Sequence, residues 1–220
     1  MKVDLIELFS IPLFHFKINP KNKEEIKSFI LNNHKKYSES DTSNEYVMGN
    51  NTNYSNSLIE HSIFKSTIEE IEINLRNIFE NFYCYNDIIP FVCDIWTTCV
   101  KPKEFGPNKH FHTHSNSLFS GVWYPFEINS SIMFKNEKKD FFTLSQDSEK
   151  ILDKNKKFMY NEYSITKILP QEDTVILFPS FISHAVSYHE NVISRYSVPF
   201  NVFFRGNLKT VTANLNIRNI

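Results

Sequence analysis

Residues 193–205 read Ile-Ser-Arg-Tyr-Ser-Val-Pro-Phe-Asn-Val-Phe-Phe-Arg, an alternation that belongs to a β-strand. Successive strand side chains point to opposite faces. Arg195, Ser197 and Asn201 therefore share one face, while Tyr196, Val198, Phe200, Val202 and Phe204 share the other. The apolar face must seal against another layer. The opposite face carries a guanidinium and a hydroxyl one strand-step apart. A buried arginine is costly unless paired, and its planar fork suits a carboxylate. No acid occurs in this stretch, so a bound carboxylate is a reasonable partner. Pro199 cannot donate to a ladder, which predicts an edge or a bulge at that point.

Working outward, short β-type runs recur from residue 88: FVCDIWTTCV (91–100), LFSGVWYPF (118–126), 130–134 and DTVILF (173–178). Short strands separated by turns argue for an antiparallel sandwich or barrel. Upstream, residues 3–18 carry β-formers with Pro12 marking a sheet edge. Two helices follow. Residues 23–37 place acids early and lysines late, which suits the helix dipole. Residues 63–82 space Ile63, Ile68, Ile71, Ile73, Leu75, Ile78 and Phe79 for a wide apolar face. Residues 38–60 read as a surface loop and 135–157, with seven lysines, as a solvated excursion. The expected fold is mainly β with N-terminal helices (α+β). It forms one domain over 1–220: an edge strand and helical layer in 1–87 and a jelly-roll-like core in 88–220.

The 220 residues are 41% hydrophobic and include 21 Phe, enough to build a core and exclude extended disorder. A net charge of −1 leaves no basic field for non-specific nucleic-acid binding. No apolar run approaches the ~20 residues of a membrane span. Asp4 and Glu7 interrupt what would be a signal peptide's apolar region, and three cysteines without CxxC spacing suit a reducing compartment, so a cytoplasmic protein is expected. With only 4 glycines, neither GxGxxG nor GxxxxGK[ST] occurs, which argues against phosphate-cradling folds. GxSxG is absent, and Cys84, Cys93 and Cys99 have no adjacent His, so hydrolase chemistry is disfavoured and the cysteines read as small core residues.

Three of eight histidines cluster in Lys109-His110-Phe111-His112-Thr113-His114. On a strand, imidazoles at i and i+2 face the same way and can chelate one first-row metal. A third ligand must come from elsewhere. His184 is the candidate, because the apolar run Ile176-Leu177-Phe178 reaches Pro179, turns, and delivers it on the next element. Ser120, Val122 and Tyr124 share a strand face, as do Asp94, Trp96 and Thr98. Gly121 marks a twist or a close backbone approach.

Three ordered blocks now stand together: HxHxNSxxSGVxY from His112 to Tyr124, LFPSxxxH from Leu177 to His184, and RxSxxFN from Arg195 to Asn201. This set resembles the Fe(II)/2-oxoglutarate-dependent oxygenases, and is most similar to a bacterial and phage subfamily related to prolyl and aspartyl/asparaginyl hydroxylases. The resemblance implies a double-stranded β-helix, a cupin-like jelly roll with iron at its mouth. It implies His112 and His184 as metal ligands, with Arg195 and Ser197 gripping the far carboxylate of 2-oxoglutarate. Tyr124 and Asn201 are further expected contacts of that cosubstrate. Where the family usually has a carboxylate, this chain has His114, so the metal is held by three histidines or by two and a water. His110 matches no ligand position.

The resemblance implies hydroxylation of an unidentified substrate, with O₂ consumed and 2-oxoglutarate decarboxylated to succinate. Two other classes remain open: a binding or structural β-barrel of the kind found in phage particles, and a three-histidine cupin-type enzyme that does not use 2-oxoglutarate. Arg195 separates the first reading from the last, since a five-carbon diacid needs that anchor. Specificity would come from loops 38–60, 101–109 and 135–165, which carry no readable motif.

Overall fold

The computed structural model describes residues 11–40, 47–48, 58–83, 88–103, 111–135, 165–209 and 214–217. In chain order its main elements are β1 (Phe14–Lys17), α1 (Lys23–Ser40), β2 (Val47–Met48), α2 (Lys65–Phe82), β3 (Ile88–Ile95), β4 (Thr97–Val100) and β5 (Phe119–Tyr124). There follow β6 (Ile132–Lys135), β7 (Ile165–Ile168), β8 (Thr174–Pro179), β9 (Ser183–Val186), β10 (Arg195–Lys209) and β11 (Asn214–Ile217). The larger sheet runs β1-β8-β5-β10-β4-β2, with β3 and β11 also pairing β10, and the smaller runs β7-β6-β9. Every ladder is antiparallel. The architecture is mostly β, a jelly roll with two helices outside it.

Alternation along the strands explains the layering. In β8, Val175 and Leu177 face the helices, whereas Ile176 and Phe178 face the smaller sheet. In β5, Phe119 and Trp123 go to the helical side, and Val122 and Tyr124 to the inter-sheet side. Both strands are buried throughout, because each face meets a layer. Ile132 and Phe134 of β6 close the second core from the smaller sheet. Fully burying such a side chain is worth about 1.5–3 kcal/mol.

The helices pack as their spacing dictates. Ile26, Ile30 and His34 recur every fourth residue on α1 and are buried. Glu24 and Glu25 sit in its first turn, but the helix continues to Ser40, so its lysines do not occupy the last turn. On α2 the buried residues are Thr67, Ile71, Leu75, Ile78 and Phe79. Ile73, expected on that face, lies off the stripe and is 55% exposed. Lys23 and Lys27 fasten α1 to the turn before β8 through Asp173 (2.6 Å) and Glu172 (2.7 Å).

One expectation resolves between its two alternatives, and another needs correction. Pro199 lies on no edge, since β10 is paired on both sides. Its missing N–H instead breaks the ladder opposite Trp96, which still donates to the Pro199 carbonyl at 3.0 Å and separates β3 from β4. A register shift follows two residues later, between Asn201 and Val202. The 38–60 loop contains the end of α1, the short strand β2 and a 3-10 turn over Leu58–Glu60. Residues 1–10, Cys84, His110 and the lysine-rich stretch from 136 lie outside the described residues. Among those described, no helix is long and apolar enough to cross a membrane.

Candidate functional site

The segment carrying His112 and His114 is not a regular strand. It is held by single backbone links. His112 and His184 exchange both N–H···O bonds (3.0 and 2.9 Å), and the His114 N–H donates to the Ser180 carbonyl at 3.0 Å. Ser180 in turn donates to Leu118, whose N–H bonds Val202 of β10. These links, together with a left-handed Asn116 (φ 60°), fold the loop back over the sheet mouth.

Three imidazoles converge as a result. Ring centroids are 4.4 Å apart for His112–His184, 5.0 Å for His114–His184 and 5.4 Å for His112–His114. One ligand nitrogen from each lies within 4.8 Å of the others, and no other such group of His, Cys, Asp and Glu occurs among the described residues. Two rings are tied from behind. His184 Nδ1 donates to the Ile182 carbonyl at 3.0 Å, and His114 Nδ1 donates to Asn201 Oδ1 at 2.7 Å. Each bond puts the proton on Nδ1 and leaves the Nε2 lone pair free, the arrangement that orients an imidazole ligand. Burial is also the largest cause pushing His184 down to about 3, with charge on His112 and His114 adding to it, and burial lowers His114 too. Neutral imidazole is the ligating form.

Asn201 is itself held in place. Its Oδ1 also accepts from Ser120 at 2.9 Å, and Ser120 and Ser180 share a 2.8 Å bond. Asn201, expected on the cosubstrate, thus sits against His114. Ser117 and Ser180, also hydrogen-bonded to each other, complete this network. Ser180 belongs to the LFPSxxxH block, but nothing in its spacing announced the role.

Arg195, Ser197 and Tyr124 meet deeper in the same cavity, whose volume is about 870 Å³. Arg195 is 3% exposed and has no carboxylate partner among the described residues. Its Nη1 donates to Ser197 at 3.3 Å, while Nε has no partner among the described residues. Ser197 shares a 2.7 Å hydrogen bond with Thr98 across the ladder from β4. Tyr124 is fully buried; its hydroxyl approaches the Arg195 guanidinium but completes no well-formed hydrogen bond among the described residues, and its ring lies 5.4 Å from the guanidinium carbon. Burial raises the Tyr124 pKa against the opposing effect of the Arg195 charge, and burial likewise disfavours the charged arginine. Trp96, tilted against His114 at 5.6 Å, lines the cavity, as do Asp94 and Cys93, so Cys93 is not simply a core residue.

The three imidazoles and the buried arginine thus line one cavity. The chain matches the family described as "Putative 2OG-Fe(II) oxygenase" over residues 94–201, a span that contains all three histidines and Arg195. The matched span is about half of the chain and supports the 2OG-Fe(II) oxygenase superfamily for it. Among solved structures, HygX from Streptomyces hygroscopicus with nickel and 2-oxoglutarate bound is similar at 10% identity, over 87% of this chain and 82% of that one (TM-score 0.51). The apo form of HygX is similar at 8% identity over 87% and 81% (TM-score 0.51). A Pseudomonas putida prolyl-4-hydroxylase is similar at 9% identity over 90% and 89% (TM-score 0.47). At such identities the likeness concerns the fold alone. No curated protein matches the sequence.

Proposed function

We propose that this chain is an Fe(II)- and 2-oxoglutarate-dependent hydroxylase on a double-stranded β-helix, with His112, His114 and His184 as the metal ligands. Arg195, Ser197 and Tyr124 take the far carboxylate of 2-oxoglutarate. The observation that carries this reading is the pair of buried, unpaired donors, Arg195 Nε and Tyr124 Oη, in the cavity that holds the histidine cluster. An unpaired buried donor costs about 1–3 kcal/mol, more when charged, and one carboxylate removes both penalties. The three histidines fit the metal in turn: imidazole suits Fe(II), and Nδ1 of two rings is already committed elsewhere.

When bound, the iron and 2-oxoglutarate supply O₂ activation coupled to decarboxylation, giving succinate and a hydroxylated substrate. The chain's own residues orient and desolvate. Asn201 and the Ile182 carbonyl hold two imidazoles in the ligating tautomer. Thr98 holds Ser197 toward the arginine. Phe178 and Val122 wall the cavity with apolar surface, which strengthens the arginine–carboxylate attraction. A three-histidine enzyme that used no diacid would leave Arg195 Nε unanswered.

Isothermal titration of Mn(II)-loaded protein with 2-oxoglutarate tests the reading. A desolvated, bidentate arginine–carboxylate contact is worth about 2–4 kcal/mol, or about 30- to 1,000-fold in affinity. Arg195→Ala is expected to weaken binding by that order and to spare metal binding. Arg195→Lys recovers only part, because a point ammonium does not reproduce the fork. Wild type without saturable binding at about millimolar 2-oxoglutarate, an affinity worth only about 4 kcal/mol, sinks the proposal.

A further inference from the structure

Among the described residues, the cavity has two charged residues in its wall, Arg195 and Asp94, apart from its histidines. They sit at opposite ends of it. Asp94 is the cross-strand partner of Asn201, six residues along β10 from Arg195, which is about 20 Å of strand. Asn201 bonds His114, and Asp94 is its cross-strand neighbour on the same face, farther along the strands from Arg195 than Trp96 is. Oδ1 of Asp94 is shut off from solvent and has no hydrogen-bond partner among the described residues. Burial raises its pKa, and the Ile95 N–H offsets this only in part. Two residues along the same face stands Trp96, also in the cavity wall and against His114. A carboxylate beside an indole is a pairing that recognises an organic cation, by charge-assisted hydrogen bonding and by attraction to the ring face.

We infer that Asp94 and Trp96 form the recognition site for the primary substrate, and that this substrate presents a protonated amine or guanidinium group next to the metal. The inference rests on the hydroxylase reading above. The two cavity ends then divide the work by sign. The anionic cosubstrate goes to Arg195, and the cationic substrate goes to Asp94. Like-charge juxtaposition keeps each from the other's place.

The probes are N-acetyl-arginine amide and its uncharged isostere N-acetyl-citrulline amide, titrated into protein loaded with Mn(II) and 2-oxoglutarate. Wild type is expected to bind the cation about tenfold or more tightly than the isostere, the discrimination of one charge-assisted contact. Asp94→Asn, nearly isosteric, is expected to erase that preference while metal and 2-oxoglutarate binding stay at wild-type values. Trp96→Phe should reduce the preference in part. Equal binding of the two probes by wild type, or no saturable binding of the cation, overturns the inference. So does a preference that survives in Asp94→Asn. Loss of metal or 2-oxoglutarate binding in Asp94→Asn also overturns it, since the carboxylate would then belong to the metal or cosubstrate. Failure of the hydroxylase reading registers separately, as absence of 2-oxoglutarate binding in wild type.

Discussion

Asn201 is the residue through which β10 reaches the histidine cluster. Its amide oxygen fixes the His114 tautomer and is fixed in turn by Ser120. Partners of this kind typically change metal affinity by about 10- to 100-fold when removed. Asn201→Ala is therefore expected to weaken Mn(II) binding by about tenfold or more, with 2-oxoglutarate affinity of the metal-saturated variant near wild type. Asn201→Asp, which keeps the acceptor, should retain metal affinity. If Asn201→Ala instead weakened 2-oxoglutarate and spared the metal, the residue would belong to the cosubstrate, as its place in the RxSxxFN block first suggested. Electron paramagnetic resonance of free Mn(II) measures the first quantity and calorimetry the second.

At the scale of elements, the contact between β5 and β10 depends on a glycine. Gly121 pairs with Phe200, and a Cβ built on it would lie 2.2 Å from Phe200 Cζ and 2.7 Å from both Cε atoms. The phenyl ring lies over the bare backbone and is fully buried, so it has no room to swing aside. Gly121→Ala is expected to destabilise the fold by about 1–3 kcal/mol, the usual cost of overpacking a core. Combining it with Phe200→Leu should cost less than the two single changes summed, because the smaller side chain makes room for the methyl. Urea unfolding of the four proteins measures this coupling, and strict additivity would refute the contact.

Across the whole molecule, helices and sheet are joined by a buried histidine whose protonation the fold opposes. His34 of α1 shares a 2.9 Å hydrogen bond with Thr97 of β4, and burial pushes it down to about 4. The unfolded chain keeps the ordinary value near 6.5. Above that pH both states are neutral there, and the folded state carries no penalty. As pH falls from 6.5 toward 4, the unfolded chain takes up a proton that the folded site refuses, so stability declines, by roughly 3 kcal/mol for this group alone. Chemical denaturation at pH 7 and pH 4.5 should show a larger loss for wild type than for His34→Gln, which lacks the titrating ring. Equal losses would mean that His34 does not govern this window.

Much of this was legible in one dimension, and the division has a physical cause. The alternation in residues 193–205 sorted Arg195, Ser197 and Asn201 from Val198, Phe200 and Val202, because strand geometry sends neighbours to opposite faces whatever the fold around them. The histidine pair and the distal His184 could be linked in sequence because metal chemistry restricts ligand types, and the fold brings the three rings together. Pro199 announced an edge or a bulge, and only the strands flanking β10 on both sides decided for the ladder break. What Thr98 and the serines beneath Asn201 touch stayed hidden, since each meets a partner far away in sequence, such as Ser197 for Thr98. Local periodicity decides which way a side chain points. Only the closed sheets decide what it meets there.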